Sequence, residues 1–178
     1  MTFAHDTEAA LVAAVALVNS ADDPDTLTTV DSLAEFYVEH DYTGRHDRTQ
    51  AELDEVRSIR LELRQMLTAD RETAVELVNR MLAEVGALPR LVRHGAVDWH
   101  IHAIDADRSL ADRMRVETAM AMVDVIRTDE LSRLSVCADP DCEGIVLDLS
   151  RNRSRRFCST ACGNRAAVAA YRARQSGA

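Results

Sequence analysis

Apolar residues recur every three or four positions through most of the first 130 residues, the spacing of one face of an α-helix. This pattern predicts five helices, at about 7–20, 30–39, 49–67, 70–85 and 107–127. An aspartate-rich segment around Pro24 predicts a turn after the first helix. A polar segment that contains Gly44 predicts a loop after the second helix.

Several helix ends carry recognisable signals. Thr7 is the expected N-cap of the first helix. Thr49 and Glu52 have the spacing of a capping box, in which each side chain accepts a hydrogen bond from the backbone amide of the other residue. Gly86 follows the fourth helix at the position where a left-handed residue ends a helix.

The helical pattern is interrupted between residues 87 and 104, where apolar and polar residues alternate around a His-Gly pair at 94–95. Alternation with a period of two is typical of strands, and it predicts a β-hairpin. The strand-forming residues are Val92, Val97, Trp99 and Ile101. The expected fold is therefore mainly α, with a helical N-terminal domain that contains one small β-hairpin.

All four cysteines lie in the last quarter of the chain, as two close pairs. They are Cys137, Cys142, Cys158 and Cys162. Two short pairs separated by a longer gap are the spacing of a tetrahedral zinc site. Two disulfides or free buried thiols are the alternatives, and disulfides require an oxidising compartment.

The apolar run at 9–18 bears on that choice, because it has about the length of an export-signal core. The residues before it contain Asp6 and Glu8 but no lysine or arginine, whereas export signals carry positive charge there. The run is also shorter than the roughly 20 residues that span a bilayer. We therefore expect a buried helix, no membrane association, a cytoplasmic protein and a zinc site.

The cysteine segment predicts a compact module that follows the helices without a flexible linker. Residues 137–142 contain Pro140 and two aspartates, which favour a tight turn. Residues 145–149 and 155–157 are expected to pair as a hairpin, followed by a helix from about 159 to 174. This order is treble-clef-like, and four thiolates leave no open coordination position, so the expected Zn²⁺ is structural.

Charge divides the chain sharply. Residues 1–150 hold all 30 acidic residues and 14 arginines, a net charge of −16, whereas residues 151–178 hold seven arginines and no acid. Such a cationic tip suggests a polyanion as partner. The alternative is a solvated surface, part of which pairs with the acidic body.

The candidate nucleic-acid contacts are the arginines of this tip and one asparagine. They are Arg151, Arg153, Arg155, Arg156, Asn164, Arg165, Arg172 and Arg174. Arg165 and Arg172 are two helical turns apart and should share one face. Asn164 either reads an adenine edge or, with Gly163, hydrogen-bonds the zinc loop.

The motif at 162–165, with the arginine-rich stretch 150–158 before it and 171–174 after it, resembles the CGNR zinc finger. The resemblance implies a finger that binds DNA. The family often has a basic residue shortly after the motif, but here Ala166 and Ala167 follow it, which implies a weaker phosphate grip.

The segments 17–20 and 25–28 resemble the ABATE-type helical domain that precedes this finger in bacteria. A row of helix arginines adds to the likeness: Arg57, Arg60 and Arg64. The resemblance implies a stress-induced transcriptional regulator, divided into a helical domain at 1–133 and the finger at 134–178. We expect DNA as a partner, and either a homodimer or a further DNA-binding partner, because one finger alone should bind weakly. The other hypothesis is a zinc-stabilised interaction protein that binds a protein or RNA.

We expect no enzymatic activity, because the sequence has no glycine-rich phosphate loop, nucleophile elbow or paired-carboxylate spacing. One alternative is a second metal site formed by alternating residues of the predicted hairpin, namely Asp98, His100 and His102. A surface of the helical domain is a candidate site for a small-molecule effector of unknown identity. Its polar and aromatic candidates are Asn19, Arg57, Arg60 and Trp99.

Overall fold

Seven α-helices and two antiparallel strand pairs form the described part of the chain, residues 3–94 and 97–176 of this computed structural model. The helices are α1 (His5–Asn19), α2 (Val30–Glu39), α3 (Gln50–Ser58), α4 (Arg60–Thr68), α5 (Arg71–Val85), α6 (Leu110–Arg127) and α7 (Thr160–Ser176). The strands are β1 (Arg90–His94), β2 (Val97–His102), β3 (Leu134–Val136) and β4 (Ile145–Leu147). Within the described ranges, no helix has the length and apolarity needed to cross a membrane.

The mainly helical fold with a small β-hairpin is confirmed. The start of α1 differs from the prediction, because Ala4 is the N-cap and Thr7 lies inside the helix. The Thr7 hydroxyl donates to Asp124 Oδ2 on α6 at 2.6 Å. Thr7 therefore joins two helices rather than capping one.

The predicted helix at 49–67 is two helices that meet at Ile59. Thr49 caps α3 by accepting from the Glu52 amide. The Glu52 side chain does not return to Thr49; it accepts from the amides of Asp47 and Arg48 and contacts His46 Nδ1 at 2.8 Å. Only half of the predicted capping box is formed, because the preceding loop competes for the carboxylate.

The hydrophobic core lies mainly between α1, α5 and α6, with α4 against α1. Its fully buried large side chains include Leu11, Leu17, Leu63, Met114 and Met122. Burial of each such side chain contributes about 1.5–3 kcal/mol. At the end of α5, Gly86 adopts a left-handed φ of +67° and caps the helix as predicted.

The core continues into the cysteine segment. Leu134 of β3 and both Ile145 and Leu147 of β4 are buried in the same cluster as the helical side chains. The two strands pair antiparallel, with Leu134 opposite Leu147. This strand pair packs against α1 and α4, so the metal-binding segment is attached by a shared apolar core.

The predicted hairpin between 145–149 and 155–157 is wrong, because β4 pairs with the upstream strand β3 instead. Residues 155–157 form no strand. The buried Asp148 carboxylate accepts from the Arg155 amide at 2.7 Å, and the Arg156 carbonyl accepts from the Ala138 amide at 2.8 Å. These two contacts hold the segment beside the sheet in an irregular conformation.

The end of α1 clamps the start of β4. The Asn19 side-chain amide donates to the Ile145 carbonyl at 2.8 Å, and its oxygen accepts from the Ile145 amide at 2.7 Å. Arg64 of α4 donates to the neighbouring carbonyl of Glu143. The two helices therefore fix the backbone that leads out of the first cysteine pair.

The predicted hairpin at 87–104 is present as the antiparallel pair β1 and β2. Trp99 and Ile101 are exposed on β2, whereas His100 and His102 are half-buried. Residues 95–96 lie outside the described residues. The face that carries the two histidines is therefore the more enclosed side of the hairpin.

Beside this hairpin, α6 carries Glu117, whose enclosed position disfavours the ionised form of its carboxyl group. Burial raises the pKa of Glu117 to about 7 from its ordinary value of 4.5, although the positive charges of Arg113 and His100 oppose the rise. Tyr42 is enclosed in the same region, and burial together with Glu117 raises its pKa as well. Folding therefore favours the protonated form of Glu117.

We predict that Asn19→Ala lowers the free energy of unfolding by about 2 kcal/mol, because it leaves both the amide and the carbonyl of Ile145 without their partner. Urea unfolding of the metal-loaded protein measures this change. The matched control is Asn152→Ala, since Asn152 is exposed. Equal stability of the two variants would show that the clamp contributes nothing.

A second prediction concerns pH. Because the folded-state pKa of Glu117 is raised, its stabilising effect is fully present below about pH 4.5 and is lost as the pH rises through about 7. Relative to Glu117→Gln, the wild-type protein should lose up to about 3 kcal/mol of unfolding free energy across this window. Urea unfolding at several pH values tests this. A constant difference between the two proteins would contradict it.

Candidate metal centre and arginine surface

The four cysteine sulfurs converge on one point. Cys137 follows β3, Cys142 ends the tight turn, Cys158 precedes α7 and Cys162 lies in its first turn. All four Sγ atoms lie within 4.8 Å of one another, and Cys158 Sγ is 3.5 Å from that of Cys142 and 3.6 Å from that of Cys162. In a tetrahedral site with metal–sulfur bonds of about 2.3 Å, sulfurs are separated by about 3.8 Å.

The sulfurs are free thiols in a shared cluster rather than two disulfides. Backbone amides also point at them: the Gly144 amide donates to Cys142 Sγ and the Cys158 amide donates to Cys137 Sγ, each at 3.4 Å. Such hydrogen bonds stabilise thiolate charge. The donor set therefore fits a soft metal cation with four sulfur ligands.

Residue 144 must be glycine, because there is no space for a side chain at this position. A Cβ at this position would lie 2.9 Å from Cys158 Sγ and 3.0 Å from Asp22 Oδ2. Asp22 itself comes from the turn after α1, and burial raises its pKa against the opposing effect of Arg64. Any side chain at residue 144 would displace a metal ligand or the turn of the helical domain.

The local environment differs among the sulfurs. Burial raises the pKa of Cys142 and of Cys158, since a thiolate loses hydration there. The Ser159 hydroxyl, which donates to Cys162 Sγ at 3.3 Å, lowers the pKa of Cys162. A bound cation would supply positive charge that stabilises the thiolates of Cys142 and Cys158.

Arg165, the last residue of the motif at 162–165, contacts the metal site directly. Its Nη2 lies 3.0 Å from Cys162 Sγ, and its Nε donates to Asp139 Oδ2 at 2.8 Å. The Asp139 carboxylate is buried and also accepts from the Asp141 amide. Burial raises the pKa of Asp139, but these hydrogen bonds outweigh it and the net shift is downward. Arg165 therefore ties the first cysteine turn to α7.

The other predicted contact arginines fall into two groups. Arg153 pairs with Glu130 at 2.8 Å and also reaches Ser132. Arg155 donates to backbone carbonyls, that of Cys158 at 3.1 Å among them. By contrast, three side chains are exposed and have no hydrogen-bond or ion-pair partner within the described chain. They are Arg151, Arg156 and Arg174.

One face of α7 is an open surface. It carries Asn164, Arg165, Val168 and Arg172, so the two arginines predicted to share a face do lie on the same face. The Asn164 side chain is exposed and makes no hydrogen bond to the metal loop within the described residues. Its polar atoms are available to a partner.

Two of the residues suggested for a small-molecule site, Arg57 and Arg60, are brought together on Asp25, but their side chains and that of Asn19 are engaged within the protein. Asn19 is occupied by β4, as described above. Arg57 and Arg60 both bind Asp25, each through an N–O distance of 3.1 Å. The Arg60 guanidinium holds the pKa of Asp25 below its ordinary value. Trp99 lies elsewhere, exposed beneath Arg93.

The proposed second metal cluster is brought together in part. The Nε2 atoms of His100 and His102 are 3.1 Å apart. The Asp98 side chain lies outside the described residues. The four-cysteine group is the one set of three or more potential ligands that the described residues bring within 4.8 Å.

Sequence reasoning missed the buried carboxylates of Asp139 and Asp148, which organise the metal loop and the segment after β4. Their partners, Arg165 and the Arg155 amide, lie 26 and 7 residues further along the chain. For Asp139 the available signal was its position inside a predicted turn, since such side chains often bind nearby amides. Asp148 lay inside a predicted strand, which gave no such signal.

Comparison with protein families gives two matches. Residues 133–175 match the family described as "CGNR zinc finger". Residues 11–129 match the ABATE family, described as "Putative stress-induced transcription regulator". Comparison with curated proteins gives no match. The four clustered cysteines lie within the first of these matches and have the arrangement of a metal-binding site.

We predict that Arg165→Gln weakens metal binding by about 10- to 100-fold, because it removes the contact that orients Cys162 and Asp139. Competition with a chelator measures the affinity. Arg174→Gln is the matched control, since it removes an exposed arginine from the same helix. Unchanged affinity in Arg165→Gln would assign that arginine to the surface rather than to the metal site.

Proposed function

The chain belongs to the ABATE family, and on that premise we propose that it is a DNA-binding transcriptional regulator with a structural zinc site. The observation that carries this proposal is the separation of charge. The last 28 residues hold seven arginines and no acid, whereas residues 1–150 carry a net charge of −16. Three of these arginines, at positions 151, 156 and 174, are exposed and unpaired within the described chain.

Zn²⁺ is the metal that best suits this donor set. Four thiolates at tetrahedral separations are typical of structural zinc, and they leave no position open for a substrate. The site joins the first cysteine turn to the start of α7. Zinc binding would therefore fix the direction in which α7 leaves the protein, and the site would have no catalytic role.

The shape of α7 supports contact with duplex DNA. From Ala167 to Gln175 every residue is exposed, so this part of the helix extends beyond the core. Its alanines keep it narrow, and the major groove of DNA, about 12 Å wide, admits an α-helix. Arg172 and Asn164 line one side of the helix, where phosphate and base contacts would be made.

The acidic body sets the orientation of this complex, because its charge is repelled by phosphate. The helical domain would face away from the duplex and would serve to sense a signal or to dimerise. A homodimer would raise the affinity, since a single module offers few contacts. A DNA-binding role would place the protein in the compartment that holds the DNA, which we propose is the cytoplasm.

A second candidate function is a zinc-stabilised interaction protein that binds a protein partner or RNA. The exposed apolar side chains Val168 and Tyr171 on α7 favour it, because they contribute nothing to phosphate binding. An aromatic ring such as that of Tyr171 also stacks on single-stranded bases. Preference for single-stranded RNA over duplex DNA would select this candidate.

We predict that the zinc-loaded protein binds duplex DNA with an affinity that falls with salt at a slope of about −0.9 per neutralised phosphate. Substituting the three unpaired arginines by glutamine should weaken binding at about 50 mM salt at least about tenfold and reduce the slope by about three. Fluorescence anisotropy with labelled duplexes measures both quantities. The variant combines Arg151→Gln, Arg156→Gln and Arg174→Gln.

The control removes the same charge from the helical domain, at exposed arginines whose side chains have no hydrogen-bond or ion-pair partner among the described residues. It combines Arg48→Gln, Arg80→Gln and Arg127→Gln. Because the acidic body faces away from DNA, this control should bind as the wild-type protein does, or slightly less tightly through net charge alone. Equal losses in both variants, or no DNA binding by the wild-type protein, would contradict the proposal.

A further inference from the structure

The two half-buried histidines of β2 form an arrangement that the zinc module does not use. His100 and His102 alternate along the strand, so their imidazoles project from the same face. Their Nε2 atoms are 3.1 Å apart and the rings meet at 65°. Each therefore directs the same nitrogen at a common point.

That separation suits two ligands of one metal ion. Nitrogen–metal bonds of about 2.0–2.1 Å place two imidazole nitrogens about 2.9 Å apart at a right angle and about 3.4 Å apart at the tetrahedral angle. The observed distance of 3.1 Å lies between these values. The pair could bind an ion without a change in the backbone of β2.

A carboxylate on α6 provides the negative charge that such an ion would need. Glu117 is largely enclosed, and none of the described residues donates a hydrogen bond to it. Arg113 and His100 both act electrostatically on it. Arg113 is itself engaged with the backbone carbonyls of Thr43 and Arg45. The carboxylate is therefore near enough to His100 to interact with it electrostatically, and it has no hydrogen-bond donor among the described residues.

The strand is also held against the helical domain. The Ile101 amide, between the two histidines, donates to Asp6 Oδ2 at the start of α1 at 3.3 Å. The hairpin continues through the buried Ala103 into a second apolar cluster with Val85 and Val116. Both contacts fix the position of β2 relative to α6.

We propose that His100 and His102 bind an exchangeable divalent transition-metal ion, with Glu117 on α6 as the carboxylate that balances its charge. Imidazole nitrogen favours ions of intermediate softness, such as Zn²⁺, Ni²⁺ and Cu²⁺. Because Glu117 is not within ligand distance of both histidines, it acts through a metal-bound water. This site belongs to the helical domain and does not depend on DNA binding by the module.

The open coordination positions of this ion distinguish it from the closed cysteine centre. Two protein ligands allow exchange with the surrounding solution, whereas four thiolates hold zinc tightly. The helical domain would then respond to the availability of a metal ion. No catalytic step is implied.

Trp99 offers a direct test, because it is the single tryptophan of the chain and precedes His100 in β2. The cysteine site is first filled with one equivalent of Zn²⁺, and Cu²⁺ or Ni²⁺ is then titrated while tryptophan fluorescence is recorded. We expect saturable quenching with one further equivalent of metal, measured in parallel by elemental analysis after desalting.

Single substitutions distinguish metal binding at this site from metal binding by other histidines of the protein. His100→Gln and His102→Gln, made singly, should each weaken binding of the second ion at least about tenfold, and Glu117→Gln should weaken it by a similar factor. The control, His40→Gln, removes another half-buried histidine and should bind as the wild-type protein does. Circular dichroism establishes that each variant is folded, and the single substitutions retain one histidine if the double variant does not fold.

The proposal is overturned if the zinc-loaded wild-type protein binds no second ion at micromolar metal. It is also overturned if both histidine variants retain the quenching with unchanged affinity. Neither result would affect DNA binding by the zinc module, so the two proposals fail separately.

Discussion

The convergence of four cysteine sulfurs constrains the C-terminal quarter of the protein. Two sulfurs come from the turn after β3, and two come from the start of α7. The segments that supply them share little apolar contact, a small cluster of Cys137, Val146 and Cys162 with its neighbours. Such a cluster is too small to position a helix, so the direction of α7 depends on the metal.

The metal site is in turn held by the helical domain. The amide of Asn19, the guanidinium of Arg64 and the turn that contains Asp22 all contact the short segment at 143–145. Leu134, Ile145 and Leu147 complete the apolar core formed by α1 and α4. A change in the packing of the core would therefore shift the cysteine ligands through these backbone contacts.

The helices and the metal ligands could be predicted from sequence, because both depend on spacing along the chain. The break between α3 and α4 at Ile59 could not, since neither glycine nor proline marks it. The pairing of β4 with β3 could not be predicted either, since the side chain of Asp148, rather than a neighbouring strand, binds the amide of Arg155. Likewise, the contacts of Arg165 with Asp139 and Cys162 could not be predicted, because its place in the sequence is that of a surface cation.

The exposed part of α7 has a consequence for how tightly a partner can be held. From Ala167 to Gln175 every residue of the helix is exposed, and an isolated stretch of this length is only marginally helical in water. Its last turns should therefore fray and re-form continually while the metal-bound first turn stays fixed. A partner that requires the full helix must supply the conformational entropy of ordering it, which favours short-lived complexes and rapid exchange between sites.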